Sequence, residues 1–169
     1  GYHYISMPVN SGIGTVVQTG YKYAKRYGYD IAVQLDGDGQ HDASYLKALI
    51  KPVLNGEADF VIGSRFIEKK GFQTSKSRRF GISVFKFLIH LLTGKSITDA
   101  TSGFRAAGKA AIDFLSDNYA TDYPEPESVV FLLRNKFRIK EIPVKMRERS
   151  GGISSINVMR SIYYMIKVV

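Results

Sequence analysis

Apolar and polar positions along this chain fall into blocks that read in turn as helix and strand. From Gly14 to Tyr27 the residues Val17, Tyr21 and Ala24 recur at helical spacing on one face, and Gly28 supplies a C-terminal stop. Ile31-Ala32-Val33-Gln34-Leu35 follows as a short buried strand. Asp42 is a natural N-cap for a second helix that runs to Leu54 and closes at Asn55-Gly56, and Asp59 to Gly63 is the next apolar strand. This alternation predicts an α/β domain whose mostly parallel sheet is covered by helices on both faces.

The second half is less regular. The polar, lysine-rich tract from Glu68 to Ser77 is expected to be a loop before an apolar helix from Phe80 to Leu92. Gly94 to Arg105 should form a loop and short strand, Lys109 to Ser116 a helix, Glu127 to Asn135 another, and Phe137 to Val144 a strand. Tyr119 to Pro126 contains two prolines and is expected to stay out of regular helix. Ile156 to Val169 reads as amphipathic, with Met159, Ile162, Ile166 and Val169 on one side.

Composition narrows the class. The 169 residues, 44% hydrophobic, suffice for one domain with a sizeable core. With no cysteine there is neither a disulfide framework nor a thiolate metal site, which fits a reducing cytosol, and His3, His41 and His90 are too dispersed for a zinc cluster. The net charge of +9 asks for an anionic partner. Between Arg65 and Lys95 lie eight Lys/Arg residues against one acid, Glu68, and this basic stretch leads into the apolar Phe80 helix. That arrangement suits a lipid phosphate at an anionic membrane face better than a duplex groove, so peripheral membrane contact is expected and nucleic acid is not. No apolar run reaches the roughly 20 residues needed to span a bilayer.

The chemistry concentrates where the first strand ends, at Asp36-Gly37-Asp38-Gly39-Gln40-His41. In an open α/β sheet this is the edge at which ligands bind. Two carboxylates and an amide oxygen suit a hard cation, Mg2+ or Mn2+, that would also neutralise the phosphates of a nucleotide. An EF-hand would need Gly at its sixth position and Glu at its twelfth, where His41 and Lys47 stand. A haloacid-dehalogenase-type phosphotransferase, which also places Asp-x-Asp after an apolar strand, is the runner-up, and a solvated turn is the bland alternative.

The cluster belongs to an ordered set. Asn10-Ser11-Gly12-Ile13-Gly14 precedes it; Gly63-Ser64-Arg65, Arg78-Arg79, Asp99-Ala100-Thr101-Ser102-Gly103-Phe104-Arg105 and Arg149-Ser150-Gly151-Gly152-Ile153-Ser154 follow. In this order they resemble the family-2 glycosyltransferases with the GT-A fold, in particular the branch of polyprenyl-phosphate sugar transferases that includes dolichol-phosphate-mannose synthases. Members of that family open with strands reading apolar-Pro-x-Tyr-Asn-Glu and Asp-Asp-Gly-Ser, which are not found here. The chain is therefore expected to be the C-terminal portion of one GT-A domain, lacking the first strands.

The resemblance implies a metal-dependent, inverting transfer of sugar from a nucleotide-sugar donor to a lipid-linked or polyprenyl-phosphate acceptor in envelope polysaccharide or glycolipid synthesis, at the inner face of the membrane. It implies that Asp36 contacts the nucleotide sugar and that Asp38 and Gln40 are metal ligands. Asp38, Arg149 and Ser154 would hold the donor diphosphate, Arg65 and Arg79 the acceptor phosphate. Asp99 would be the general base for a hydroxyl acceptor, or would orient a phosphate acceptor that needs no base, and Arg105 joins it in the catalytic set. Gly103 is expected to answer a backbone demand, Glu125 to serve only the positive end of its helix, and Glu127 is open. Two alternatives in other classes stand beside this reading: a catalytically inert GT-A fragment, and a basic module that binds anionic surfaces.

Overall fold

A computed structural model of the chain describes residues 3–68, 76–120 and 123–147, excluding the side chains of 76–81, 84 and 85. Its elements in order are α1 (Gly12–Arg26), β1 (Ile31–Gln34), α2 (Leu46–Leu54), β2 (Phe60–Ser64), α3 (Lys76–Thr93), β3 (Arg105–Gly108), α4 (Lys109–Asp117), α5 (Pro124–Arg134) and β4 (Ile139–Pro143). The expected helix from Ile156 to Val169 lies outside the described residues, as do Arg149 and Ser154.

The sheet order is β1-β3-β2-β4. β4 runs parallel to β2, whereas β3 runs antiparallel to both β1 and β2, so β1, β2 and β4 share one direction and β3 opposes them. One edge of the sheet therefore gathers the C-terminal ends of β1, β2 and β4 and the N-terminal end of β3. Asp36, Asp38 and Gln40 follow β1, Arg65 follows β2, and Asp99 to Arg105 lead into β3, so these candidates gather at that edge.

Alternation along the strands builds two cores. Phe60, Ile62 and Ala107 face one side, packing with Tyr21, Ala24, Ile89, Ala111, Ile112, Leu115 and Val129 from the surrounding helices. Val61 and Ala106 face the other, with Leu49, Phe104, Val144 and Met146. Burial of β2 on both faces explains its unbroken apolar sequence.

Two local expectations change. The proline tract does enter helix, because α5 begins at Pro124 with Pro126 two residues on. First-turn residues need no N–H partner within the helix, so proline costs nothing there. The short strand after Gly94 starts at Arg105 itself and runs to Gly108. Asp42 does cap, although the turn it closes, Ala43–Tyr45, is a 3-10 turn ahead of α2; its Oδ1 accepts the Ser44 N–H at 3.0 Å.

Candidate functional site

Asp36 is the opening of the site. Its side chain is 41% exposed, and its carboxylate rests against the loop before β3: a Cβ placed on Gly103 would lie 2.5 Å from Oδ2 and 2.9 Å from Oδ1. Gly103 has no left-handed backbone angle. Its demand is one of space, which corrects the expectation of a conformational role. The glycine lets the 99–105 loop lie directly on the carboxylate.

His41 holds Asp36 from the other side. Its Nδ1 accepts the Asp36 backbone N–H at 3.1 Å, its Nε2 lies 3.9 Å from Asp36 Oδ2, and its ring stacks on Phe104 at 5.1 Å between centroids. Accepting at Nδ1 places the proton of the neutral ring on Nε2, facing Asp36. Burial is the main influence on this imidazole and lowers its pKa, against the opposing pull of Asp36. Asp38 Oδ1 accepts the Gln40 N–H at 3.0 Å, and Gly39, with φ of 76°, makes the turn between them possible.

The chain beyond β4 returns to this turn. Met146 bridges to His41 in antiparallel fashion, the Arg147 N–H donates to Gln40 O at 3.0 Å, and Arg147 Nη2 donates to Asp42 Oδ2 at 2.9 Å. Residues 40 and 147 are thus stapled together at the rim of the Asp36–Asp38 turn.

Asp99 is turned inward. Its carboxylate, 0% exposed, takes a bidentate pair from Arg65, Nε to Oδ2 at 2.7 Å and Nη2 to Oδ1 at 2.6 Å, together with the Arg65 backbone N–H at 3.1 Å and the Thr101 hydroxyl at 3.2 Å. Arg65, whose side chain is 13% exposed, also donates from Nη2 to Thr101 at 2.9 Å. Glu141 of β4 anchors the start of the same loop by accepting from Thr98 N and Oγ1, both at 2.8 Å, and from Asp99 N at 2.9 Å. Asp99 thus fixes Arg65, each of its carboxylate oxygens accepting two hydrogen bonds from Arg65 and Thr101.

Arg105 is also an internal brace. Fully buried, it donates from Nε to Ser102 O at 2.6 Å, from Nη2 to Ala100 O at 2.6 Å and from Nη1 to Ser128 Oγ at 2.8 Å, with its guanidinium 5.7 Å from the Phe60 ring. It knots the 99–105 loop to α5. Arg79 belongs to the first turn of α3, and its side chain lies outside the described residues.

The donor set suits a hard cation that a substrate completes. Among the described residues no group of three His, Cys, Asp or Glu is placed to hold a metal alone. Asp38 and Gln40 nevertheless offer a carboxylate and an amide oxygen on one turn, the small protein share typical of Mg2+ sites that take their remaining ligands from phosphates.

Comparison with known proteins agrees with this architecture. Residues 1–115 match the profile of glycosyl transferase family 2. The chain is 37% identical over 142 residues to a UDP-N-acetylglucosamine–dolichyl-phosphate N-acetylglucosaminyltransferase of Methanococcus voltae, covering 80% of this chain and 55% of that protein. It is 28% identical over 160 residues to a polyprenol monophosphomannose synthase of Mycolicibacterium smegmatis, covering 92% and 60%, and 27% identical over 163 residues to an undecaprenyl-phosphate mannosyltransferase of Micrococcus luteus, covering 92% and 65%. With its α/β sheet and its Asp-x-Asp turn just after β1, this chain belongs to glycosyl transferase family 2. It spans between half and two thirds of the length of these relatives. Membership replaces the phosphotransferase alternative.

Sequence reasoning missed Glu141, because its place beside Thr98 depends on the register of β4 against β2. It set Glu125 aside as a helix-end charge. Glu125 is partly buried, and burial raises its carboxyl despite the field of the Arg105 guanidinium. The prolines on either side of Glu125 were the available signal, since they fix the start of α5 and so the direction in which that turn faces.

Proposed function

We propose that this chain carries the catalytic face of an enzyme that transfers a sugar from a nucleotide donor to a polyprenyl-phosphate acceptor with inversion. The observation that carries this reading is the meeting of Asp36 and Gly103: the donor-side turn and the acceptor-side loop share one contact, so donor and acceptor groups converge within a side chain's length. Asp36 accepts hydroxyl groups of the nucleotide sugar. Asp38 and Gln40 hold Mg2+ or Mn2+, which when bound neutralises charge on the diphosphate leaving group. Arg149 and Ser154 close over that diphosphate. On the acceptor side, Arg79 and Arg65 meet the phosphate, with Asp99 holding the Arg65 guanidinium in a fixed plane by its Nε/Nη2 edge and with Nη1 left to the ligand. An acceptor phosphate is ionised at neutral pH, so its oxygen attacks the anomeric carbon without a base as the bond to the diphosphate breaks. This chemistry fits the enclosed position of Asp99, and Arg105 serves as a positioning residue for the loop.

The membrane-facing part of the reading has its own support. α3 buries Ile82 and Ile89 but leaves Phe87 and Leu91 exposed one turn apart, beside exposed Lys86 and His90. Apolar side chains beside a lysine and a polar imidazole suit the surface of an anionic bilayer, where a lipid-linked phosphate lies. No described helix is long and apolar enough to cross a membrane.

Calorimetry of the complete protein with UDP and GDP, in the presence and absence of Mn2+, tests the donor half. Nucleoside diphosphate should bind more tightly with the cation, and Asp38→Asn should erase that difference while leaving metal-free binding intact, because one anionic ligand is lost. Binding indifferent to cation in both proteins would remove the metal assignment.

A further inference from the structure

Three polar atoms near the opening are buried without a partner among the described residues. Gln34 is 9% exposed and Tyr119 8%, yet Gln34 Oε1, Gln34 Nε2 and the Tyr119 hydroxyl have no hydrogen bond among the described residues. Buried polar groups in native proteins are nearly always paired, and leaving them unpaired destabilises the fold.

Their placement gives the reason. Gln34 ends β1 directly opposite Arg105 on β3, so the two side chains share one face of the sheet, and two residues later the chain reaches Asp36. Tyr119 packs against Tyr21 on that same face, at 5.5 Å between ring centroids. The Tyr119 hydroxyl and the Glu125 carboxyl both lie within the electrostatic reach of Arg105 and of Asp36. Gln34, Arg105 and Tyr119 thus belong to one face of the sheet, at the strand end that leads into Asp36.

We propose that Gln34 and Tyr119, with Glu125 beside them, receive the hydroxyl groups of the transferred sugar and so determine which sugar nucleotide is used. This rests on the glycosyltransferase reading above. An amide and a phenol each offer a donor and an acceptor, matching hydroxyl groups that also do both. A phosphate is the wrong guest: Asp36 and Glu125 repel it, and Arg105, the cation opposite Gln34, already donates to Ala100 O, Ser102 O and Ser128 Oγ. Sites built to hydrogen-bond a substrate hydroxyl discriminate strongly because their own buried groups go unpaired with the wrong ligand.

The test uses Tyr119→Phe and Gln34→Met in the complete protein. Probes are UDP-N-acetylglucosamine, UDP-glucose and GDP-mannose, each compared with its bare nucleoside diphosphate, and thermal melting is followed in parallel. For the sugar nucleotide that wild type binds best, each variant should lose roughly fivefold to tenfold in affinity, the worth of a lost hydrogen bond, with binding of the bare diphosphate unchanged. The melting temperature should hold or rise, since an unpaired polar group has been removed. Unchanged sugar preference in both variants, or a fall in melting temperature with equal loss for sugar nucleotide and bare diphosphate, would overturn the subsite while leaving the glycosyltransferase reading intact. Wild-type protein that binds none of the probes would overturn both.

Discussion

Asp99→Ala should lower the melting temperature of the complete protein by about 10 °C, the largest stability effect expected of any single change at the site. The carboxylate is 0% exposed and meets Arg65 in a bidentate pair, with the Arg65 N–H and the Thr101 hydroxyl as further donors. Removing one partner of a buried pair strands the other charge, at a cost of about 3–5 kcal/mol. For a protein of this size each kcal/mol corresponds to roughly 2–4 °C. Asp99→Asn keeps the shape and loses the charge, so it too should melt early. Thermal scans decide the matter. A variant that melts like wild type yet has lost turnover would mark Asp99 as a group acting on the acceptor and would contradict its role as the brace of Arg65.

Gly103→Ala should do the reverse, abolishing most activity with little change in stability. A methyl at this position would meet Asp36 Oδ2 at 2.5 Å and Oδ1 at 2.9 Å, inside any permitted contact. Asp36, at 41% exposure, can swing away into solvent, so the fold survives. The turn also gains slightly, because alanine restricts the unfolded chain more than glycine does. Displacing by about 1 Å the carboxylate proposed to contact the donor should cost on the order of 100-fold in rate. Steady-state rates and melting curves on the same preparation measure both halves of the claim. Full activity in the alanine variant would show that Asp36 and the 99–105 loop need not touch during the reaction.

The divide between what was legible in the sequence and what was not follows the range of the interactions. Local signals sufficed for α1, whose stripe of Val17, Tyr21 and Ala24 ends at Gly28, and for the two-sided burial of β2. The Asp36–Asp38 turn was legible because a motif of six residues contains its own geometry. Motif order placed Asp99, Gly103 and Arg105 at the same edge but carried nothing of what Asp99 and Arg105 touch there, or of why residue 103 must be small. Asp99 meets a cation 34 positions away, and Gly103 is small because of a carboxylate 67 positions before it, so neither fact is written locally. Gln34 shows the limit most plainly. In an alternating strand a glutamine reads as an outward polar residue, and only its register against Arg105 puts it inside.

The central claim, that sugar passes from a nucleotide donor to a polyprenyl phosphate at the Asp36–Gly103 contact, is tested most directly by a transfer assay on the complete protein. Radiolabelled UDP-N-acetylglucosamine, UDP-glucose and GDP-mannose would be offered with polyprenyl phosphate in anionic vesicles, and with a soluble hydroxyl acceptor for comparison. The expected result is labelled lipid from one donor, dependent on divalent cation and lost in Asp38→Asn, with the soluble acceptor inert. Folded wild-type protein that labels only the soluble acceptor, or labels nothing while still binding nucleotide and cation, would contradict it.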